Sequence, residues 1–230
     1  MLVLGIDTAT RVASVGLVAN EKVLAEEASL TVTNHTETLL PLIQRLLDRT
    51  GLTLSDIQGF GVSIGPGSFT GLRIALGAVK GFAYALGQRV AAIPTLEALA
   101  RTVSDWEGHV CPVLDARKGE VYTALFSRHQ NGLCTRLSSD QVVTPEAFFT
   151  ELESPCLFLG DGIERYRELL HKRCGSAICF LPFSEYHPRG RVIALMAWER
   201  LSRGESDDIG SLTPSYVRKP EAEFKRVGQS

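Results

Sequence analysis

Apolar positions along the chain fall into short blocks whose spacing switches between strand-like and helix-like. "LVLGID" (residues 2–7) and "ASVGLVA" (13–19) predict two strands around a short polar turn, and "NEK" turns the chain into a third strand, "VLAEEASL" (23–30). Asn34, with Glu37 three residues on, has the form of a capping box and opens a helix to about Arg49. "IQGFGVSI" (57–64) predicts a buried strand, and a glycine-rich turn leads from it into an apolar helix over 70–86. "RVAAI" (89–93) is a short strand; Pro94 and Thr95 then start a helix to about Val103. The first half reads β-β-β-α-β-α-β-α.

The second half has the same order. "HVCPVLD" (109–115), "EVYTALF" (120–126) and a strand after the Asn131–Gly132 turn form an antiparallel set. Thr144–Pro145 begins a helix with proline at its first position. The strand "CLFLG", the helix "IERYRELLHKR", the strand "AICFL" and the helix "RVIALMAWERLSR" follow. The polar stretch "SDWEG" (104–108) separates the halves, giving an N-terminal lobe of residues 1–104 and a C-terminal lobe with a tail of 105–230. Two copies of this order, each a mixed sheet carrying helices, are the element pattern of the actin, Hsp70 and sugar-kinase superfamily, a two-lobed α/β fold.

Composition removes several functions without changing that picture. The 230 residues carry 24 Lys and Arg against 26 Asp and Glu, a formal net charge of −2, with no basic stripe of the kind an unaided nucleic-acid binder shows. Five cysteines, at 111, 134, 156, 174 and 179, include no C-x-x-C pair, which points to buried reduced thiols and not to disulfides or a zinc knuckle. No basic-then-apolar leader precedes "MLVLGID". The longest mainly apolar segment, 72–86, is broken by Arg73 and Lys80 and is too short to span a bilayer, so the expected location is the cytoplasm.

In the superfamily members that use ATP, the nucleotide lies between the lobes and the first hairpin carries an Asp followed by Gly and Thr. Here Asp7 ends the first strand and Thr8 and Thr10 follow, but the close-approach position is Ala9. Asp7 can organise a metal or phosphate, or simply cap the hairpin turn. The second hairpin presents Asp115, Arg117 and Lys118 before Gly119, either facing phosphates or as solvated turn charges. Asp7, Thr10, Asp115 and Lys118 are thus the candidate cofactor residues, and Asp161 in "GDG" (160–162) is a candidate helix cap. The histidines at 35, 109, 129, 171 and 187 contain no H-x-x-x-H or H-E-x-x-H pair, and no G-x-S-x-G elbow occurs. The spacing of Gly65, Gly67 and Gly71 matches neither a P-loop nor a dinucleotide fingerprint.

On a helical wheel the apolar arc of residues 69–86 is about twice the ~100° that a surface helix needs. What remains is a narrow stripe of Arg73, Gly77, Lys80 and Tyr84, edged by Phe69 and Leu76. Gly77 and Gly81 lie mid-helix, where each costs ~1 kcal/mol relative to alanine unless close packing offsets it. In the preceding helix Leu39, Leu40, Leu42, Ile43, Leu46 and Leu47 cover a similarly broad arc. Two explanations stand: a helix pair buried inside the molecule, or a helical face that docks on another protein.

"GIDTAT", "SVGLV", "HTETLLPLI", "GVSIGPGSFTGLRIALGAVKGFA", "IPTLEALA", "LDARKGEVYTALF", "FLGDGIERY" and "PSYVRKPEAEFKR" together resemble the TsaB (YeaZ) family over nearly the whole chain, and "GPGSFTGLRI" is highly specific. The resemblance implies the same two-lobed fold and a non-catalytic paralogue of TsaD, in a lineage once labelled glycoproteases. It implies a part in making N6-threonylcarbamoyladenosine at position 37 of tRNAs that read ANN codons. In that system TsaC makes threonylcarbamoyl-AMP, TsaD transfers the group, TsaE is an ATPase, and TsaB pairs with TsaD through N-terminal-lobe helices. Carried onto this chain those are the helices at 35–49 and 70–86, so the implied partner interface is His35, Leu39, Leu42, Ile43, Leu46, Phe69, Arg73, Leu76, Gly77, Lys80 and Tyr84. TsaD-like proteins hold a metal with H-x-x-x-H in the first helix; here His35 is followed at that spacing by Leu39. No metal and no independent transferase or peptidase activity are therefore expected. The implied partners are TsaD in a heterodimer, TsaE in a ternary complex, and a second copy when the chain is alone. tRNA would be met only through the complex, no membrane is involved, and ATP or ADP would bind only in the complex. The tail at 218–230 is more polar than a docking strand. The rival function is a small ATP-dependent phosphotransferase of the same fold; it needs the Asp7 and Asp115 turns to face one nucleotide, and Ala9 argues against it.

Overall fold

A computed structural model of the chain describes residues 1–30, 35–149, 155–174, 178–181, 187 and 189–218. In the first lobe β1 (Leu2–Asp7) pairs antiparallel with β2 (Val12–Ala19), and β2 with β3 (Lys22–Leu30). β1 also pairs parallel with β4 (Gly59–Gly65), and β4 with β5 (Arg89–Pro94), giving the order β3-β2-β1-β4-β5. The central strands are covered on both faces, which is why they read as nearly continuous apolar runs. Helices α1 (His35–Thr50) and α2 (Phe69–Leu86) pack on this sheet, their leucines meeting Leu4, Ile6, Leu17 and Phe60 in one core. The Ser68 hydroxyl caps the start of α2 by accepting the Gly71 N–H at 3.2 Å, and Gly87 ends it in the left-handed conformation at φ 66°. Asn34, the expected cap of α1, lies outside the described residues.

The second sheet is built on β6 (Gly108–Arg117). Five strands precede the next helix here where three are expected: β7 (Glu120–Thr123), β8 (Phe126–Arg128), β9 (Cys134–Arg136) and β10 (Gln141–Val143) follow β6. "EVYTALF" breaks at Ala124–Leu125, because the ten-residue β6 takes two antiparallel partners end to end, β7 on its second half and β8 on its first. After α4 (Pro145–Phe149), β11 (Cys156–Leu159) and β12 (Ile178–Phe180) extend the sheet in parallel, with α5 (Gly162–Cys174) between them in sequence.

The two halves exchange helices. α6 (Gly190–Ser202) comes from the second half by chain order, yet its Val192, Ile193, Ala194, Met196 and Ala197 share a core with Val3, Val18 and Ala91 of the first sheet. Gly5 and Gly16 let the α6 backbone lie against β1 and β2, and Ser14 Oγ accepts the Gly190 N–H at 2.7 Å. In the other direction α3 (Thr95–Arg101) sends Leu96, Leu99 and Ala100 into the core of the second sheet beside Val110 and Phe126. Of the cysteines described, Cys111 and Cys156 are buried and Cys134 is half-buried, but Cys179 is exposed, against the expectation of buried thiols. None of the described helices is long and apolar enough to cross a membrane.

Candidate functional site

The glycine-rich turn after β4 closes over the first hairpin. Ser68 N–H donates to Ala9 O at 2.7 Å, and the Thr8 hydroxyl donates to Gly71 O at 2.7 Å. A Cβ on Gly67 would stand 2.5 Å from Ala9 O, and one on Gly71 would overlap the Thr8 carbonyl oxygen. These glycines therefore serve close contact of the loop with the Thr8–Ala9 backbone. Asp7 lies beneath, fully buried, with Oδ1 accepting the Ala9 N–H at 3.1 Å. Burial pushes its pKa up to about 6; the Ser63 hydroxyl and the Ala9 N–H pull it back less strongly. Asp7 Oδ2 and Ser63 Oγ are nonetheless both buried without a partner at hydrogen-bond geometry. Thr10, also buried, accepts the Val12 N–H on its hydroxyl at 3.2 Å, as a turn residue does. A closed turn over a buried, largely desolvated carboxylate does not fit a metal–phosphate group.

The second hairpin is more open. Asp115 Oδ1 accepts the Arg117 N–H at 2.8 Å, and Oδ2 lies 3.5 Å from Arg117 and 3.4 Å from Arg165. Asp161 Oδ1 accepts the Asp115 N–H at 3.0 Å; burial raises the Asp161 pKa, with the Asp115 charge adding to it and Arg11 and Arg117 opposing. Arg11, from the first hairpin, forms an ion pair with Glu164 of α5 across the gap between lobes. Lys118 is exposed at the turn. Asp7 is fully buried in the core, whereas Asp115 is half-buried and lies beside Arg117 and Arg165. Among the described residues no group of three or more His, Cys, Asp or Glu is placed to hold a metal.

The helical residues divide sharply. Leu39, Leu42, Ile43, Leu46 and Leu76 are at most 5% exposed and face the first sheet, so the chain's own core uses the side chains that the resemblance would give to a partner. His35 is buried as well; its Nε2–H donates to Thr10 O at 2.8 Å, and burial lowers its pKa more than that contact raises it. It ties the start of α1 to the first hairpin. The broad arc of α1 is an internal face, with Leu40 its one large apolar side chain left outside.

α2 differs. Phe69, Arg73, Gly77, Gly81 and Tyr84 follow one another at spacings of four, four, four and three along its outer side, and all are exposed, with Lys80 half-buried beside them. Tyr84 is 87% exposed. Among the described residues a Cβ on Gly77 or Gly81 would meet nothing within 4 Å, so the two glycines make an open trough between Arg73 and Tyr84. Arg73 lies over the Phe69 ring at 3.8 Å, a cation–π contact, and Tyr216 stacks on the same Phe69 ring at 5.2 Å between centroids.

The family model described as "TsaD: tRNA N6-adenosine threonylcarbamoyltransferase" matches residues 22–226. The chain is 30% identical to the tRNA threonylcarbamoyladenosine biosynthesis protein TsaB of Bacillus subtilis, over 99% of this chain and 98% of that protein. It belongs to the TsaB (YeaZ) family. The solved structure of YeaZ from Pseudomonas aeruginosa superposes with a TM-score of 0.80 at 30% identity, covering 94% of this chain and 99% of that one. Component A of the (R)-2-hydroxyglutaryl-CoA dehydratase of Acidaminococcus fermentans, 12% identical with a TM-score of 0.54 over 88% and 99% of the two chains, shares the fold alone. The fold of this TsaB-family chain is the actin/Hsp70/sugar-kinase-like one. One feature of the α2 face was unmarked in the sequence: Tyr216, in "PSYVR", is a lone aromatic whose contact with Phe69 has no periodic signal.

Proposed function

We propose that this chain is the non-catalytic partner of a TsaD subunit in making N6-threonylcarbamoyladenosine at position 37 of tRNAs that read ANN codons. The observation that carries the reading is the open pair Gly77 and Gly81. Both are interior to an 18-residue helix, and a Cβ built on either would meet nothing within 4 Å outside the helix's own backbone among the described residues. Together they cost about 2 kcal/mol relative to alanine, which close approach of another backbone would offset. Arg73 and Tyr84 at the ends of the trough, and the Phe69 ring, supply the residue types that anchor protein interfaces. TsaD is the partner that the family membership favours. TsaE would join the pair, and a second copy of the chain would cover the same face when TsaD is absent.

In this reading the chain itself holds no nucleotide, because the loop at 65–71 seals the first hairpin, and it carries out no transfer. ATP or ADP would bind only in the complex, and tRNA would be met only there. The chain would work in the cytoplasm, with its tRNA substrate. The test is reconstitution with an ANN-decoding tRNA, threonylcarbamoyl-AMP, TsaD and TsaE. Modified adenosine should form only when this chain is added to TsaD, and this chain without TsaD should form none. Full activity of TsaD in its absence, or transfer by this chain alone, would contradict the proposal.

A further inference from the structure

The last described residues run back over the first lobe and then leave it. Asp207 bridges to β5, its N–H donating to Val90 O at 2.8 Å and its carboxylate accepting the Ala92 N–H at 2.7 Å. Ile209 and Leu212 pack on the first-lobe core. Ser215 N–H then donates to Ile64 O at 2.7 Å, at the end of β4. Gly65, at φ 121°, makes room there: a Cβ would stand 2.6 Å from Ser215 O. Tyr216 stacks on Phe69, and its hydroxyl accepts the Arg73 Nε–H at 3.0 Å. Two residues later Arg218 reaches the second lobe, donating to Ala116 O at 2.9 Å and forming an ion pair with Glu120 across the β6–β7 hairpin.

We propose that residues 215–218 are a strap that couples the outer face of α2 to the second lobe, so that a partner seated on Phe69 and Arg73 also fixes the β6–β7 hairpin. The argument is one of reach. Ser215 is held by β4, Tyr216 by α2 and Arg218 by the hairpin, with Val217 the single residue between the last two grips. A chain advances at most about 3.5 Å per residue, so the two grips stay close together and a shift of Tyr216 is passed towards Arg218 through one intervening residue. The stacked Phe69 and the bonded Arg73 are themselves the first two positions of the α2 stripe, so a partner's contacts there meet the strap's own. Coupling between a bound partner and the hairpin would be reciprocal in binding free energy.

Hydrogen exchange on the full chain tests the strap without any partner. Tyr216→Ala, which removes the ring stack on Phe69 and the bond to Arg73, should speed exchange of the β7 amides (Glu120–Thr123) about fivefold or more, the lower end of ordinary coupling. Arg218→Ala, which touches only the second lobe, should do the same to the first turn of α2. Tyr216→Phe keeps the stack and loses the Arg73 bond, and should fall between, which separates a graded coupling from general unfolding. Variants that disturb only the segment they touch would overturn the proposal. Adding a TsaD subunit, an arm that rests on the docking reading, should protect residues 69–84 and the hairpin together in the unmodified chain, and residues 69–84 alone in Arg218→Ala. Protection of α2 without the hairpin in the unmodified chain would refute the coupling and leave docking intact. No protection of α2 at all would refute docking, with the strap still decided by the chain on its own.

Discussion

Thr8 and Gly71 hold each other at close range: the Thr8 side-chain hydroxyl donates to Gly71 O at 2.7 Å, and the Thr8 carbonyl occupies the place where a Gly71 Cβ would stand. That contact locks the first turn of α2 onto the hairpin whose relatives in nucleotide-using proteins hold phosphate. It makes the glycine-rich loop a packing device. Gly71→Ala should therefore destabilise the chain by ~1–3 kcal/mol, the usual cost of overpacking, in spite of alanine's better helix propensity. Urea unfolding should show a lower midpoint at unchanged slope.

The same substitution further along α2 should have the opposite sign. Gly77 and Gly81 face open space, so alanine at either gains its helix propensity, ~1 kcal/mol, with nothing to collide with in the isolated chain. For a chain of this size that raises the Tm by about 2–4 °C. If the trough receives a partner's backbone, each stabilised variant should bind TsaD more weakly, which titration calorimetry would read directly.

Asp7 and His35 give the chain opposing pH slopes. A carboxyl raised from 3.8 to about 6 binds more protons folded than unfolded. The stability this contributes is complete below the unfolded value and is lost as pH rises through about 6, a loss of roughly 3 kcal/mol for a shift of this size. His35, lowered by burial, works the other way: its contribution is present above its ordinary value and falls as the ring becomes protonated. Asp7→Asn keeps the acceptor for the Ala9 N–H and removes the charge. It should be more stable than the unmodified chain at pH 8 and little different at pH 4, as measured by urea unfolding at both.

The two-lobed order of strands and helices was legible because buried strands and amphipathic helices have distinct periods. Periodicity says which side of a helix is apolar, but not what covers it. Leu39, Leu42, Ile43 and Leu46 have the pattern of either a core or a docking face, and only the position of the first sheet beneath them decides for the core. The crossing of α6 onto β1 and β2 was equally hidden, since Gly5, Gly16 and Gly190 mark close approach without naming the partner. Gly77 and Gly81 were readable as a cost, and the open space above them gives that cost its meaning. Tyr216 had no neighbour in sequence to indicate Phe69.

The sealed first hairpin bears on the rival reading as a phosphotransferase. Titration of the isolated chain with ATP and Mg²⁺ should show no binding tighter than ~1 mM, a free energy of about −4 kcal/mol. Micromolar binding with turnover would mean that the loop at 65–71 opens and that Asp7 becomes available to a metal.

The central claim is that the outer face of α2 is where another subunit sits. Size-exclusion chromatography with light scattering, on the chain mixed with TsaD, tests it most directly when the unmodified chain is compared with Gly77→Arg. Nothing lies within 4 Å of a Cβ at that position, so the variant should fold with an unchanged circular dichroism spectrum. The account predicts a one-to-one complex with the unmodified chain and none with the variant. A variant that still pairs normally would contradict it and place the interface elsewhere on the molecule.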